Sequence, residues 1–392
     1  MEKPVAIIGC ARTAIGRFGG ALSTVEPEEM AARVISALLN KTQLGPSEVE
    51  EVILGNVLNN GGNIARVAAL QAGLPMEVPG VSIDRQCAGG IEAIHYGALL
   101  IRSRQIEVAV AGGLEHMTLA PYLLSKPGMA YDRTPPKFQR IRLSAEKVGD
   151  PPMGITAENL AELYHISRNE QDRFAVLSHE RAITASRLKC FEDEIVPIEI
   201  KDKKGVVSIF DADEGPRADT SMEKMARLKP AFKPGGTVTA GNSSSITDGA
   251  AAVLLMDMER ARREKRPVLG IVRDYRVVGV DPNIMGIGPI GAIRKLLKVT
   301  GLTIKDIDLF EINEAFAAQT LVVLQELGLS IEKVNIYGGA IAYGHPFGMS
   351  GPRLVMFLLR ALRERRGQRG VAAFCVGGGQ GVAMLLEAEE TI

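Results

Sequence analysis

The sequence of 392 residues contains no tryptophan, and aromatic residues make up only 5% of it. Proteins that bind carbohydrates or single-stranded nucleic acids stack these ligands on aromatic side chains, so neither function is expected. The chain has 46 lysine and arginine residues and 46 aspartate and glutamate residues. Without a net positive charge there is no general attraction for nucleic acid or for an anionic membrane, and we expect neither as a partner.

Cysteine and histidine are also scarce. The four cysteines, at positions 10, 87, 190 and 375, form no C-x-x-C pair, and the five histidines show no spacing typical of metal ligands. We therefore expect no disulfide framework and no metal site. No apolar run approaches the roughly 18 residues of a membrane helix, and the N-terminus has no signal-peptide pattern, which favours a soluble cytoplasmic protein.

Apolar residues, in contrast, make up 46% of the chain, and at this length two or three structural units are expected. Apolar runs without a polar face alternate with helical patterns, which predicts buried strands in an α/β fold. The predicted strands include Val5–Gly9, Val52–Asn56, Val108–Gly113, Phe191–Ile200 and Ala250–Met256. The predicted helices include Met30–Leu39, Ile64–Ala72, Gln171–Leu188 and one from Cys87 to about Arg102.

The second half of the chain repeats the order of elements in the first half. The strand before Cys87 resembles Val334–Tyr337, which precedes a predicted helix Gly351–Arg363, and Val108–Gly113 resembles Val371–Gly377. A period this long predicts two similar α/β halves packed face to face, with equivalent strand-to-helix turns at a shared cleft. The irregular stretch 119–244 has the character of an insertion. The predicted units are therefore 1–118 with 245–266, the insertion 119–244, and 267–392.

Cys87 lies at the joint between a predicted strand and a predicted helix. A thiol at the start of a helix is next to the positive end of the helix dipole, which favours the thiolate. The small residues Ala88, Gly89 and Gly90 leave room for a substrate to reach the sulfur. The alternative interpretation is a small buried cysteine in a packed turn.

Two residues of the second half are candidates to act with Cys87. His345 lies in a loop of glycine and proline residues, as a base that must approach a thiol and a substrate carbonyl requires, although a loop histidine bonded to backbone is the alternative. Asn313 follows a predicted strand and precedes a helix, so it is either a helix cap or a fixed amide that holds a water or an oxyanion.

Cys375 ends a predicted strand and is followed by Gly377, Gly378 and Gly379. This glycine run lacks the Lys-Ser/Thr of a phosphate-binding P-loop. We therefore interpret Cys375 as a second thiol that acts as acid and base, with backbone N–H groups exposed nearby.

At these motifs the sequence resembles the thiolases, the acyl-CoA C-acyltransferases, over essentially its whole length. The matching segments are 84–87, 153–159, 240–244, 247–250, 313–316, 344–346 and Cys375 with its glycines. The resemblance implies a duplicated α/β fold, layered α-β-α-β-α, with an inserted loop domain. It also implies a homodimer or homotetramer, with coenzyme A and acyl-CoA as substrates and no permanently bound cofactor.

The resemblance further implies the roles of the site residues. Cys87 is expected to be the nucleophile that is acylated, His345 to take its proton, and Cys375 to protonate or deprotonate the acetyl-CoA carbon. One oxyanion site would be formed by His345 and a water on Asn313, and the other by the N–H groups of Cys87 and Gly377.

Coenzyme A is expected to lie across the insertion. Ser244 would bond the pantetheine and Arg217 would contact the adenine. The other residues expected to bind coenzyme A are Met153, Leu228, Phe232, Ala240, Ser243, Met285, Ala315 and Phe316.

The departures from the family pattern around Cys87 and Met153 favour thiolysis of 3-ketoacyl-CoA over acetyl-CoA condensation and leave the acyl-chain length open. Two alternatives remain at this point: a ketoacyl synthase that uses an acyl-carrier protein, and an inactive thiolase-like protein that binds acyl-CoA.

Overall fold

The computed structural model describes residues 4–58, 62–201 and 205–389, so the ends of the predicted units 1–118 and 267–392 lie outside the described residues. The elements up to the insertion are β1 Val5–Thr13, β2 Gly16–Arg17, α1 Pro27–Thr42, β3 Glu51–Gly55, α2 Ile64–Gln71, β4 Gly80–Ile83, α3 Gly89–Arg102 and β5 Val108–His116. Those that follow, as far as the second half, are α4 Met153–Leu163, α5 Arg168–Arg187, β6 Ile195–Val196, β7 Ile198–Lys201, β8 Val207–Phe210, α6 Met222–Ala226, β9 Thr247–Asp257 and α7 Met258–Arg263. The remaining elements are β10 Gly270–Gly279, α8 Gly288–Thr300, β11 Leu309–Ile312, α9 Ala317–Leu327, α10 Ala340–Tyr343, α11 Phe347–Arg365, β12 Arg369–Val376 and β13 Gln380–Glu387.

The strands form a mixed sheet in the order β11-β12-β13-β10-β1-β9-β5-β3-β4. The pairs β3–β4, β3–β5 and β11–β12 are parallel, whereas β1 runs antiparallel to both β9 and β10. Strand β1 therefore joins the strands of the two halves edge to edge. The strands β5 and β9 are buried along their whole length, as expected for a sheet that is covered on both faces.

Three apolar clusters divide the halves into layers. One cluster lies between α1 and α2 and the first-half strands, and another lies between α8 and α9 and the second-half strands. The third cluster surrounds α3 and α11, which lie between the two sets of strands. The layers are therefore α1 with α2, the first-half strands, α3 with α11, the second-half strands, and α8 with α9. The predicted duplicated and layered α/β architecture is confirmed.

The predicted strand Val334–Tyr337 is wrong. Only Val334 makes an isolated bridge, to Phe310, and the chain then turns because Asn335 adopts a left-handed conformation (φ 48°). The Asn335 side chain takes the place of the missing strand backbone: Oδ1 accepts from the N–H of Ile312 and Nδ2 donates to the Ile312 carbonyl, both at 2.8 Å. A side-chain amide thus completes the pairing at the edge of β11.

Two other predicted elements differ in extent. The predicted strand Phe191–Ile200 reduces to β6 and β7, because residues 191–194 form a turn whose Glu194 carbonyl accepts from the N–H of Arg12. The predicted helix Gly351–Arg363 begins earlier, at Phe347. Its Pro352 has no N–H, so the carbonyl of Gly348 has no helical partner, and this carbonyl packs against backbone instead.

The connection between β5 and β9 contains α4, α5, the hairpin β7–β8 and α6. Its first part, residues 119–152, is mostly exposed and has one isolated bridge, between Leu124 and Phe138. Helix α5 begins with a capping box: Ser167 Oγ accepts from the N–H of Glu170, and the Glu170 carboxylate accepts from the N–H of Ser167. Among the described residues, no helix has the length and apolar character needed to cross a membrane.

Candidate active site

The loop that carries Cys87 joins β4 to α3 through a strained turn. Gln86 adopts φ 46°, a left-handed conformation that is uncommon for residues other than glycine. The Asp84 carboxylate stabilises this turn, since it accepts from the N–H of Gln86 at 2.7 Å and lies within hydrogen-bond distance of its side-chain amide. The turn places Cys87 two residues before Gly89, the first residue of α3.

Part of Cys87 remains exposed, which leaves the sulfur accessible, but the protein packs densely around it. Burial raises the pKa of the Cys87 thiol to about 11, although the N–H groups of Gly377 and of Cys87 itself hydrogen-bond to the sulfur and favour the thiolate. Desolvation therefore outweighs the helix dipole, which on its own would favour the thiolate. Cys87 therefore rests as a thiol.

Cys375 lies at the end of β12, is 1% exposed, and belongs to the other half of the molecule. Burial raises the pKa of the Cys375 thiol far above its usual range, and the negative charge that Cys87 would carry adds to the shift. The two sulfurs are thus close enough for the charge on one to affect the other. Cys375 therefore rests as a neutral thiol.

His345 precedes α11 and is 4% exposed. Its Nδ1 lies 2.6 Å from Ser350 Oγ, which itself donates to the Pro346 carbonyl at 2.9 Å. Because the Ser350 hydroxyl gives its proton to this carbonyl, it accepts the Nδ1–H of His345, which leaves the lone pair on Nε2. Burial and the charge of Arg353 lower the pKa of His345 to about 3, so the imidazole is neutral.

Asn313 continues the end of β11, with its N–H donating to the Ala373 carbonyl at 2.9 Å. Its side chain does not cap α9, whose N-cap residue is Phe316. Instead, Asn313 Nδ2 lies 3.2 Å from Nε2 of His345, while Oδ1 is buried without a partner among the described residues. Asn313 and His345 therefore contact each other directly.

Glycines bring the Cys87 and His345 segments together without intervening side chains. A Cβ atom at Gly90 or Gly113 would collide with the carbonyl of Gly348, and one at Gly348 would collide with the carbonyl of Gly55. Gly90 lies in the first turn of α3 and Gly348 in the first turn of α11. The two central helices therefore meet backbone to backbone directly beneath the site.

Glu115, which sequence reasoning missed, ties the loop after β3 to the first turn of α11. Its carboxylate accepts from the N–H groups of Leu58 (2.8 Å), Val57 (3.3 Å) and Gly348 (3.2 Å). Burial raises its pKa to about 7 against the effect of these hydrogen bonds. The signal in the sequence was a charged residue at the end of an otherwise apolar strand, β5.

Glu314 fixes the loop that leads to His345. Its carboxylate accepts from Ser178 Oγ (2.7 Å), Asn335 Nδ2 (2.9 Å) and the N–H of Ile341 (3.2 Å). Burial raises the pKa of Glu314, although these hydrogen bonds and the charge of Arg353 act in the opposite direction. The roles of Glu314 and Ser350 were not predicted, because their partners come from distant parts of the chain.

Several residues predicted to bind coenzyme A lie around Cys375. Met285, Ala315 and Phe316 form one buried apolar cluster with Cys375, and Met153 packs against it. Phe232 packs edge to face on Phe316, with ring centroids 6.0 Å apart. These residues form an apolar wall that ends at the Cys375 thiol.

The remaining predicted coenzyme A residues lie further out. Ser244 donates its N–H to the Ala315 carbonyl at 3.0 Å, and Ser243 Oγ donates to the Thr239 carbonyl at 2.7 Å. Ala240 and Arg217 are exposed, as is Leu228. The Ser243 hydroxyl is therefore already used within the protein, whereas the Arg217 guanidinium is exposed to solvent.

A cleft of about 960 Å³ lies at the opposite end of α11 and is lined by Cys10, Lys41, Arg360 and Arg363, among others, but by none of the predicted site residues. Within the described parts of the chain, no group of three or more His, Cys, Asp and Glu residues is arranged to hold a metal ion.

The chain matches two family models, the thiolase N-terminal domain over residues 5–259 and the thiolase C-terminal domain over residues 266–388. It is 47% identical to an acetyl-CoA acetyltransferase of Pseudomonas aeruginosa, over 98% of this chain and 99% of that protein. A crystal structure of the Bacillus anthracis acetyl-CoA acetyltransferase superposes with a TM-score of 0.94, at 44% identity, and covers 99% of both chains. A crystal structure of human mitochondrial 3-ketoacyl-CoA thiolase in complex with CoA has a TM-score of 0.92 and 38% identity, and covers 99% of this chain and 98% of that one. The chain therefore belongs to the thiolase family and is an acyltransferase.

Proposed function

We propose that this protein cleaves 3-ketoacyl-CoA with coenzyme A, through an acyl-Cys87 intermediate, to acetyl-CoA and a shortened acyl-CoA. The proposal is carried by the 3.2 Å contact between Asn313 Nδ2 and His345 Nε2, and by the surroundings of the Cys87 sulfur, where the N–H groups of Cys87 and of Gly377 from the other half favour the thiolate. The same two N–H groups would bind the thioester oxygen of the acyl-enzyme. Nucleophile, acid and oxyanion donors thus come together from both halves of the chain.

In the first step, Nε2 of His345 takes the proton of the Cys87 thiol, and the sulfur attacks the 3-keto carbon of the substrate. The bond between C2 and C3 then breaks, and its electron pair leaves with the acetyl-CoA enolate. Cys375 protonates C2 of this enolate and becomes a thiolate. The neutral resting forms of His345 and Cys375 suit these two tasks, since the base must accept a proton and the acid must give one.

In the second step, the Cys375 thiolate takes the proton of the coenzyme A thiol, whose sulfur attacks the acyl carbon. The bond to Cys87 breaks, and the Cys87 sulfur recovers its proton from the His345 imidazolium. The reverse sequence is the Claisen condensation of two acetyl-CoA molecules. Removing one oxyanion donor typically slows such reactions by about 10² to 10³.

Coenzyme A would enter along the apolar wall formed by Met153, Met285, Phe316 and Phe232. We propose that Ser244 and Ala315 contact its pantetheine and that Arg217, Leu228, Ala240 and Ser243 lie along its outer part. No permanently bound cofactor takes part. A homodimer or homotetramer is the assembly that we propose.

The test is thiolysis of acetoacetyl-CoA by wild type and Cys87→Ala, with Cys190→Ala as the matched control because Cys190 lies outside the site. We expect Cys87→Ala to lose activity by at least about 10³-fold and to form no acyl-enzyme by mass spectrometry, whereas Cys190→Ala retains both. Activity in Cys87→Ala would disprove the covalent mechanism. Replacing coenzyme A by an acyl-carrier protein tests the ketoacyl synthase alternative, and a series of 3-ketoacyl-CoA lengths tests the preference for degradation.

A further inference from the structure

Arg85 connects the loop of Cys87 to the glycine turn of the other half. Its Nη1 donates to Gln380 Oε1 at 2.9 Å. Arg85 lies two residues before Cys87, and Gln380 is the first residue of β13, three residues after Gly377. This hydrogen bond is thus a direct side-chain link between the segments that carry the two N–H donors at the Cys87 sulfur.

Both ends of this link are held rigidly. Arg85 Nη2 donates to Glu92 Oε1 at 3.1 Å, and its Nε lies 2.6 Å from Glu92 Oε2, so the guanidinium is fixed by a carboxylate of α3. Tyr275, on β10 of the other half, donates its hydroxyl to Glu92 Oε2 at 2.5 Å and is covered by the stacked ring of His95, with centroids 4.3 Å apart. Glu92 therefore bonds to both halves.

The turn on the other side is short and well defined. Val376 pairs with Gln380 across β12 and β13, which leaves only Gly377, Gly378 and Gly379 in the turn. Gly378 and Gly379 adopt φ values of 81° and 82°, and the Gly379 carbonyl accepts from the N–H of Val280. Because only these three residues separate Val376 from Gln380, a displacement of Gln380 would also move the N–H of Gly377.

The contribution of this network to overall stability is not sufficient to explain its arrangement. Arg85 and Glu92 remain 29% and 15% exposed, and partly exposed ion pairs stabilise a fold little. The network does, however, set the separation of two backbone donors that must converge on one atom. Preorganised donors lose much of their effect when they are displaced by about 1 Å.

We propose that Arg85 and Gln380, anchored by Glu92 and Tyr275, are positioning residues that hold the Gly377 N–H at the Cys87 sulfur. The proposal deepens the function proposed above and rests on it for the catalytic consequence. None of the four residues is assigned to bind coenzyme A or to react.

The test uses iodoacetamide, whose reaction with each cysteine is followed by peptide mass spectrometry. The ratio of the Cys87 to the Cys190 alkylation rate at pH 8 reports the thiolate fraction of Cys87, with Cys190 as internal control. We expect Arg85→Met and Gln380→Met each to lower this ratio by about fivefold to tenfold, because the thiolate loses a hydrogen bond. The double variant should lose no more than either single variant, since both break the same link. The kcat of thiolysis should fall by about tenfold, with the KM for coenzyme A unchanged.

Gln380→Glu keeps an acceptor for Arg85 and should retain the wild-type ratio, whereas Arg85→Lys should lower it because one ammonium cannot replace the planar fork. Urea unfolding of each variant identifies those that fold normally, and Arg85→Lys and Gln380→Glu provide folded comparisons. An unchanged ratio in Arg85→Met and Gln380→Met, or a double variant whose loss is the product of the single losses, would overturn the proposal. Lack of thiolysis in the wild type would instead refute the proposed function, and the alkylation ratio would still decide the positioning role.

Discussion

The side-chain amide of Asn313 lies 3.2 Å from Nε2 of His345, although the two residues come from different loops, one after β11 and one before α11. The distance is that of a hydrogen bond from the amide to the imidazole lone pair. Asn313 Oδ1, on the same side chain, has no partner among the described residues. The Asn313 amide therefore holds the His345 imidazole through Nδ2 and leaves Oδ1 available for a substrate or a water.

The first prediction concerns Asn313→Ala. Removing the amide releases Nε2 of His345 and would remove the water expected on Asn313 at the oxyanion, so kcat/KM for thiolysis should fall by about 100-fold while the protein remains folded. The measurement is steady-state thiolysis of acetoacetyl-CoA. Asn40→Ala, an exposed position of α1, is the matched control and should retain wild-type activity. Wild-type activity in Asn313→Ala would show that the contact has no role in catalysis.

The second prediction is the tautomer of His345. Since Ser350 Oγ donates to the Pro346 carbonyl, the proton of the neutral imidazole should lie on Nδ1. The ¹⁵N chemical shifts of the ring nitrogens measure this directly, and the chain has only five histidines to assign. Ser350→Ala removes the acceptor of Nδ1–H and should lower kcat by about tenfold. A wild-type spectrum with the proton on Nε2 would contradict the assignment.

The third prediction concerns Asn335, whose amide makes three buried hydrogen bonds at 2.8–2.9 Å. Asn335→Ala leaves both backbone groups of Ile312 unpaired and should lower the free energy of unfolding by about 2–4 kcal/mol. Urea denaturation provides the measurement. Asn335→Gly tolerates the left-handed backbone and separates the two causes: if it restores wild-type stability, backbone strain rather than lost hydrogen bonding explains the effect.

The fourth prediction concerns pH and Glu311, which is 2% exposed on β11. Burial raises its pKa from 4.5 to about 8 despite the opposing charges of Arg353 and Arg181, and the Glu314 charge raises it further. The unfolded chain ionises this carboxyl from about pH 4.5 upward. The folded chain keeps the proton until about pH 8, so stability should decrease as pH rises through this window.

Glu311→Gln should abolish this decrease in stability with rising pH, because the glutamine side chain does not ionise. The variant should match the wild type near pH 4 and exceed it near pH 8 by at most ~4 kcal/mol, in urea denaturation at both pH values. Glu115 titrates in the same direction in both proteins and cancels from the comparison. Parallel pH profiles for the two proteins would contradict the prediction.

The strands and helices that build the layers could be predicted because their sequence patterns are strong. Val108–Gly113 and Ala250–Met256 are uninterrupted apolar runs, and both lie inside buried strands. In Val334–Tyr337 three of the four residues are apolar, but Asn335 turns the chain and its amide replaces a strand. An amide that substitutes for backbone pairing leaves no periodic signal in the sequence.

The site residues were predicted in two ways. The thiol before a helix indicated Cys87, the bare loop indicated His345, and their places at strand ends indicated Asn313 and Cys375. The roles of Gly377 and of the residues expected to bind coenzyme A rested on the family resemblance, and all of these roles stay predictions. The acidic residues that hold the loops, Glu115 and Glu314, bind backbone groups far away in the chain. Their positions depend on tertiary packing, which the local pattern does not encode.

Arg353 is a further buried charge that was not predicted. It is 0% exposed, lies over the rings of Tyr343 and Phe357, and has no hydrogen-bond partner among the described residues. Its spacing of four residues from Met349 and from Phe357 places it on the apolar face of α11. This spacing could have predicted the burial of Arg353, because a charged residue within the apolar face of a helix is buried together with that face.

The backbone contact of Gly348 with Gly55, Gly90 and Gly113 limits how the site can vary during evolution. Because these contacts are between backbone atoms, no rotamer change can absorb an added methyl group, and even alanine would displace the backbone of α11 that follows His345. Variation in substrate preference must therefore arise elsewhere, on the partly exposed rim that includes Leu228 and Phe232. The reacting centre would be inherited unchanged, and its entrance would diversify.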